Sequence, residues 1–202
     1  MLKRPIKISI PPATPVRVSD RLTAVTRRNI LLHKLIRHTM ITIPNKDFKS
    51  SNIMLQQIIN STTKVKMLKV CKKFDLYVSP NLRKDETSRR VALEVLDNPI
   101  ESLSRLSKTE LLILDEFVRG GDDTYVVRKQ RKTPYILQKY LLVVTYCDDE
   151  KNEWHMLMPT ELRESLAPSL PFFLDCAIKG VKAPSAKELR LMSALQRFMG
   201  DE

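Results

Sequence analysis

The sequence predicts a mainly α-helical protein carrying one β-hairpin, and three observations lead there. Glycine is scarce, 4 in 202 residues, whereas a β-sandwich needs many tight turns. Apolar residues recur at helical spacing through most of the chain, and helix-start signals of the Asn/Ser-x-x-Glu type precede several of those runs. One stretch, residues 141–146, is instead rich in β-branched and aromatic residues, and residues 154–158 are placed to pair with it.

Residues 1–17 hold four prolines and no helical period, so they read as an extended arm made basic by Lys3, Arg4, Lys7 and Arg17. Such an arm suits a phosphate backbone or a minor groove; a terminus with no task has the same composition. Ser19 or Asp20 caps a first helix, with Leu22, Val25, Leu32, Leu35 and Ile36 on its apolar face. Ser51 caps a short second helix over about residues 52–59, with Met54, Leu55, Ile58 and Ile59 inward. Met67, Val70, Cys71 and Phe74 share a helical face, and lysines fill much of the remaining surface. Residues 75–80 form an extended connection, and a helix over about residues 85–96 buries Val91, Ala92, Val95 and Leu96.

Asn98-Pro99-Ile100-Glu101 restarts a helix with Asn as cap and Pro at the first helical position. Ser107-Lys108-Thr109-Glu110 is a second capping box, for a helix through Leu111, Leu112, Leu114, Phe117 and Val118 that stops at Gly120-Gly121. Thr133-Pro134 starts a short helix over residues 135–140. The hairpin follows, with the polar residues 147–153 as its loop. Pro159-Thr160-Glu161-Leu162 opens another helix, and Pro171 starts one that ends at Gly180. Ser185-Ala186-Lys187-Glu188 is a third capping box; its helix carries Leu189, Met192, Leu195 and Met199 along one face.

Charge is unevenly distributed. Residues 1–100 carry a net +13 and the remainder −1, within a total of +12. A basic half joined to a near-neutral half fits a region that meets a polyanion, nucleic acid above all. Hydrophobic content of 43% supports a packed core, and no run approaches the ~18 apolar residues of a membrane span. Lys3 and Arg4 precede apolar residues as in a signal peptide, but Pro5, Lys7, Pro11 and Pro12 interrupt the segment. Cys71, Cys147 and Cys176 are odd in number and scattered, which is no disulfide framework. A cytoplasmic location is expected.

Residues 67–96, a helix, an extended link and a helix, resemble the SAP family of nucleic-acid-binding modules. Leu68, Val70, the Phe74-Asp75-Leu76 exit and the Val91, Leu93 and Leu96 face carry the likeness. Asp75 stands where the family usually has Gly, and the link is longer. The resemblance implies phosphate contacts from Lys69, Lys72, Lys73, Arg83, Lys84, Arg89 and Arg90, acting by charge neutralisation and counterion release. Solvated faces of two helices would carry the same residues.

Residues 107–166, helices followed by a hairpin, resemble a winged-helix domain. In that reading Arg128, Lys129, Arg131 and Lys132 lead into the helix begun at Thr133-Pro134, and its amides and these cations favour a phosphate. Residues 135–140 are short and apolar for base reading, and Asp148, Asp149, Glu150 and Glu153 make the hairpin loop acidic, so a protein contact suits this module as well. The expected organisation is thus an arm over 1–17, a basic helical region over 18–98, and a winged-helix-like helical region over 99–202 with its hairpin at about 141–158.

Catalytic chemistry has little support. Asp122-Asp123 and Asp148-Asp149 are acidic pairs of a kind that binds cations, and more often simply solvated turns. His33, His38 and His155 match no metal spacing with the cysteines. Cys147 and His155 would need to face each other and gain a third group to form a dyad. Most aromatics sit in apolar runs, leaving Tyr77 and Tyr125 as candidates for stacking, so duplex DNA is favoured over RNA. The expected function is non-enzymatic binding of nucleic acid through its backbone, without cofactor or metal and away from membranes. The alternative is an adaptor or structural subunit whose basic half docks an acidic protein.

Overall fold

The computed structural model describes residues 40–185 together with residues 187–189, 191, 192 and 195. The basic arm over 1–17 and the first expected helix lie outside the described residues. The elements are β1 (Ile41–Ile43), a 3-10 turn (Ser50–Asn52), α1 (Leu55–Asn60), α2 (Lys64–Phe74), α3 (Lys84–Asp97), α4 (Pro99–Ser104) and α5 (Lys108–Gly120). Then follow β2 (Tyr125–Lys129), α6 (Ile136–Lys139), β3 (Val144–Asp148), β4 (Glu153–Leu157), α7 (Thr160–Leu166) and α8 (Leu170–Lys179). The described part is mainly helical, with a small mixed sheet.

Local chemistry accounts for most helix limits. The Thr63 hydroxyl accepts from the Lys66 amide at 3.4 Å to open α2, which buries Met67, Val70, Cys71 and Phe74. The helix closes on Asp75, held in the left-handed region at φ 55°, ψ 34°. In α3 the buried hydroxyls of Thr87 and Ser88 are satisfied by the Arg83 and Asp85 carbonyls at 2.8 and 2.7 Å. Leu96, expected inward with Val91, Ala92 and Val95, is only half-buried. Gly180, at φ 70°, ends α8 as its position predicts.

Several caps are not the expected ones. Met54 is 52% exposed rather than inward, and α1 begins after it, with the Leu55 amide donating to Glu161 Oε1 at 2.6 Å. Asn98 precedes α4, but its side-chain amide donates back to the Glu94 carbonyl at 3.0 Å, closing α3 instead. The Ser107 hydroxyl accepts from the Glu110 amide at 3.4 Å, while the Glu110 carboxylate turns away to another helix. Of the three boxes expected from sequence, the one at Ser185 forms reciprocally: the Glu188 carboxylate accepts the Ser185 amide at 2.6 Å and the Ser185 hydroxyl accepts the Glu188 amide at 3.3 Å. Beyond it Leu189 packs on the core, whereas Met192 and Leu195 are exposed, so the expected single face is divided. Met199 lies outside the described residues.

The β structure is larger than one hairpin. β3 and β4 form the expected antiparallel pair, with Cys147 opposite Trp154 and Tyr146 opposite His155. β2 adds antiparallel to β4 and β1 adds parallel to β3, giving the order β1-β3-β4-β2. Leu141, Leu142 and Val143, expected in the strand, are buried in the turn before it. Because alternate residues face opposite ways, Val126, Thr145, Trp154 and Met156 share the inner face and all are buried.

One core joins these layers. It includes Leu55, Met67, Phe74, Val95, Leu114, Leu137, Trp154, Leu162 and Phe173. The change of charge near residue 98 falls inside it: α3 and α4 lie on either side of Asn98 and both pack on α7. Around α7 a polar latch ties three segments. Asp122 Oδ1 accepts from Thr160 Oγ1 at 2.7 Å and from the Arg163 guanidinium at 2.8 Å, and Asp123 Oδ1 accepts the Ser50 amide at 2.7 Å.

The latch is aimed by Gly121, at φ 74°, ψ −155°, a conformation open in practice only to glycine. Nothing lies within 4 Å of where a Cβ would sit, so the cost of a side chain there is conformational. Gly121→Ala is expected to lower stability by about 1–3 kcal/mol, seen as a lower urea midpoint with an unchanged slope.

Candidate nucleic-acid interface

The basic residues named from sequence divide into those left open and those already engaged. Within Lys64–Phe74 there are five lysines and no acid. Lys64 Nζ donates to the Leu82 carbonyl at 2.6 Å, and burial lowers the Lys66 pKa. Lys69 and Lys72 are exposed on the side opposite Met67, Val70 and Phe74, and Lys73 lies on the flank. Burial pushes the Cys71 thiol up to about 11, so it adds no negative charge beneath them.

The end of α2 meets α6. Phe74 packs edge-on against Tyr140 with ring centroids 5.8 Å apart. Lys73 Nζ lies 5.8 Å and Lys139 Nζ 5.7 Å from the centre of the Tyr140 ring, which attracts both cations through its quadrupole. Next to them the Glu110 carboxylate of α5 accepts the Ile136 and Leu137 amides at 2.7 and 3.3 Å, capping α6. Lys73 and Arg131 both act on that carboxylate electrostatically, and the Arg131 guanidinium stacks 3.4 Å from the centre of the Tyr135 ring. Lys73 and Arg131, from the two separate sequence clusters, are therefore brought together, and Lys139 joins them. Lys139 was missed because residues 135–140 read as apolar; a cation in the last turn of a helix was the available signal.

This geometry changes one expectation. The amides opening α6 were to seat a phosphate beside Arg131 and Lys132, but Glu110 occupies them. Arg131 and Lys132 are left to act through their side chains alone.

The other named cations differ in setting. Arg83 precedes α3, its amide bonded to the Glu86 carboxylate at 3.1 Å, and Lys84 and Arg89 are exposed. Arg90 pairs with Glu94 at 2.8 Å. Asp85, Glu86, Glu94 and Asp97 give α3 acids as well as bases, a weaker match to phosphate than α2. Arg128 is held in an ion pair with Glu116, and Lys129 stands in register with Glu153 on the neighbouring strand. Tyr77 is 82% exposed. Tyr125 is tied down, its hydroxyl donating to the Phe48 carbonyl at 3.0 Å.

The catalytic candidates do not assemble. Cys147 faces Trp154 across the hairpin and His155 faces Tyr146, so the two point to opposite sides of the sheet. His155 Nε2 lies 3.6 Å from Glu153 and 3.9 Å from Asp148; burial and the Lys46 charge lower its pKa. Asp122 and Asp123 are the latch described above. Among the described residues no group of three or more His, Cys, Asp or Glu is arranged to hold a metal ion.

Glu110 gives the region a pH signature. Burial raises its pKa above the ordinary glutamate range, against the pull of the two amides, Arg131 and Lys73. Between the ordinary and the raised value the folded chain keeps a proton that the unfolded chain has lost, so stability falls as pH rises through that window. Glu110→Gln is expected to remove this decline, checked by urea unfolding of both proteins from about pH 4 to about pH 7. Parallel profiles for the two would show that another group sets the slope.

No protein-family model, no curated protein and no solved structure matches this chain. Among the described residues no helix is long and apolar enough to cross a membrane.

Proposed function

We propose that this protein binds duplex DNA without catalysing a reaction, holding the phosphate backbone on the lysine face of α2 and the cations around Tyr140. The observation that carries the reading is the acid-free row of lysines on α2 continued by Lys139 and Arg131. Arg and Lys bind phosphate by displacing condensed counterions, with no need for a pocket or a base-reading helix. Lys69, Lys72 and Lys73 are the principal contacts. Arg131, Lys132 and Lys139 extend the track, and Arg83, Lys84 and Arg89 lie at its margin.

The SAP-like reading of residues 67–96 is supported by two details. Asp75 adopts the left-handed conformation that suits the family's Gly, and the extended link returns far enough for Lys64 to reach Leu82. The winged-helix-like reading of residues 107–166 is supported by the order α5, β2, α6, β3, β4 and α7. Its acidic hairpin loop suits a protein contact better than a groove. The three free cysteines are compatible with a cytoplasmic location.

The test is binding to unrelated duplex DNA, single-stranded DNA and RNA over a salt series. Duplex binding that weakens steeply with salt is expected. Absence of binding at low salt would overturn the reading and assign the lysine face to an acidic protein, the role of an adaptor or structural subunit.

A further inference from the structure

The cap on α6 places a buried negative charge beside the proposed phosphate track. Glu110 of α5 is 3% exposed, and its carboxylate accepts the Ile136 and Leu137 amides at 2.7 and 3.3 Å. Two cations act on it from other elements, Arg131 on the loop leading into α6 and Lys73 at the end of α2. Arg131 stacks on the Tyr135 ring, and Lys73 shares the Tyr140 ring with Lys139. Arg131 is exposed and Lys73 half-buried, so both can meet a phosphate that the carboxylate itself cannot touch.

We propose that proton exchange at Glu110 regulates phosphate binding at this site. The ionised carboxylate repels an approaching DNA backbone and offsets the charge of Arg131 and Lys73; the neutral acid does neither. This control rests on the DNA-binding reading and belongs to that same site. Burial is what gives one acid such weight. A charge held out of water acts more strongly on its neighbours, and is screened less by salt, than a surface acid such as the Glu94 paired with Arg90.

The direction of the effect follows from the charges. Burial, the largest influence, raises the Glu110 pKa against the pull of the two amides, Arg131 and Lys73, so the proton leaves above the ordinary glutamate range. Below that point the site carries one more net positive charge and binds phosphate more tightly; above it binding weakens. By linkage, bound duplex disfavours the carboxylate and draws a proton onto it from solvent. The neutral acid keeps an oxygen that accepts an amide, so the start of α6 stays capped. His155, beside Glu153 and Asp148 on the hairpin, titrates alike in the wild type and in a Glu110 variant.

The experiment is the affinity of the full-length chain for a labelled duplex of unrelated sequence, at fixed salt, from about pH 5 to about pH 8. Glu110→Gln, which keeps an amide acceptor and removes the charge, is expected to bind about tenfold more tightly than the wild type at the upper end. That advantage is expected to vanish as pH falls and the wild-type carboxyl takes its proton. A second measurement needs no variant: the titration midpoint of the Glu110 carboxyl-carbon NMR signal is expected to move upward when duplex is added. An affinity ratio that stays the same at every pH would overturn the proposal, since the substitution would then act through packing. A midpoint unmoved by bound duplex would overturn it as well. Absence of duplex binding by either protein at any pH would instead remove the DNA-binding reading, and this control with it.

Discussion

Replacing Lys69, Lys72 and Lys73 together by Gln is expected to weaken duplex DNA binding on the order of a hundredfold at ~0.1 M salt. Each lysine that meets a phosphate contributes about −0.9 to the slope of log affinity against log salt, so the triple variant should flatten that slope by roughly 2.7. The fold is expected to be unaffected, since Lys69 and Lys72 are exposed and Lys73 lies on the flank of α2. A control replacing Arg90 and Arg128, already paired with Glu94 and Glu116, should change binding much less. Equal losses from both sets would mean that overall charge, rather than the α2 face, determines binding. An unchanged salt slope in the triple variant would exclude these lysines as phosphate contacts.

Phe74→Ala is expected to have the largest effect on stability, about 3–5 kcal/mol, a large share of the ~5–15 kcal/mol that holds a typical domain together. Phe74 is fully buried and forms the joint between α2 and α6 through the Tyr140 ring. Truncation leaves a cavity and releases the surface on which Lys73 and Lys139 sit. Phe74→Leu, which keeps most of the volume, should recover much of the loss. Urea unfolding measures both. If Phe74→Ala costs no more than a surface substitution, the joint is not part of the cooperative core.

The two predictions draw on different kinds of information. The face containing Phe74 followed from the spacing of Met67, Val70, Cys71 and Phe74, and the same spacing put the lysines outside. The Asn98-Pro99 restart, the stop at Gly120-Gly121 and the end at Gly180 are equally local, each set within one turn of backbone. The partner of Phe74 was not available in this way, because Tyr140 lies on a helix far along the chain.

The missed strands show the same limit. β1 is three residues ended by Pro44, too short for any alternation to register. β2 did carry a signal, Tyr125-Val126-Val127, but its continuation into Arg128-Lys129 looked like a basic connection. Both are edge strands that exist by pairing with β3 and β4, so their evidence lies in the partner. Cys147 and His155 fail as a pair for a related reason: strand register, which the chain does not state locally, sends them to opposite faces.

Glu110 makes the physical reason explicit. Its spacing from Ser107 is that of a capping box, and the exposed Ser107 amide can turn to water. The Leu137 amide is buried and needs a protein acceptor, so the carboxylate goes there and α6 loses its anion seat. Short-range spacing was enough to place most of the described helices and the lysine face of α2, because each depends on neighbours within a turn or two. Which cations converge around Tyr140, which are engaged by Glu94 and Glu116, and which caps cross between helices were decided by tertiary packing, since burial sets the demand for a partner and burial is a property of the whole fold.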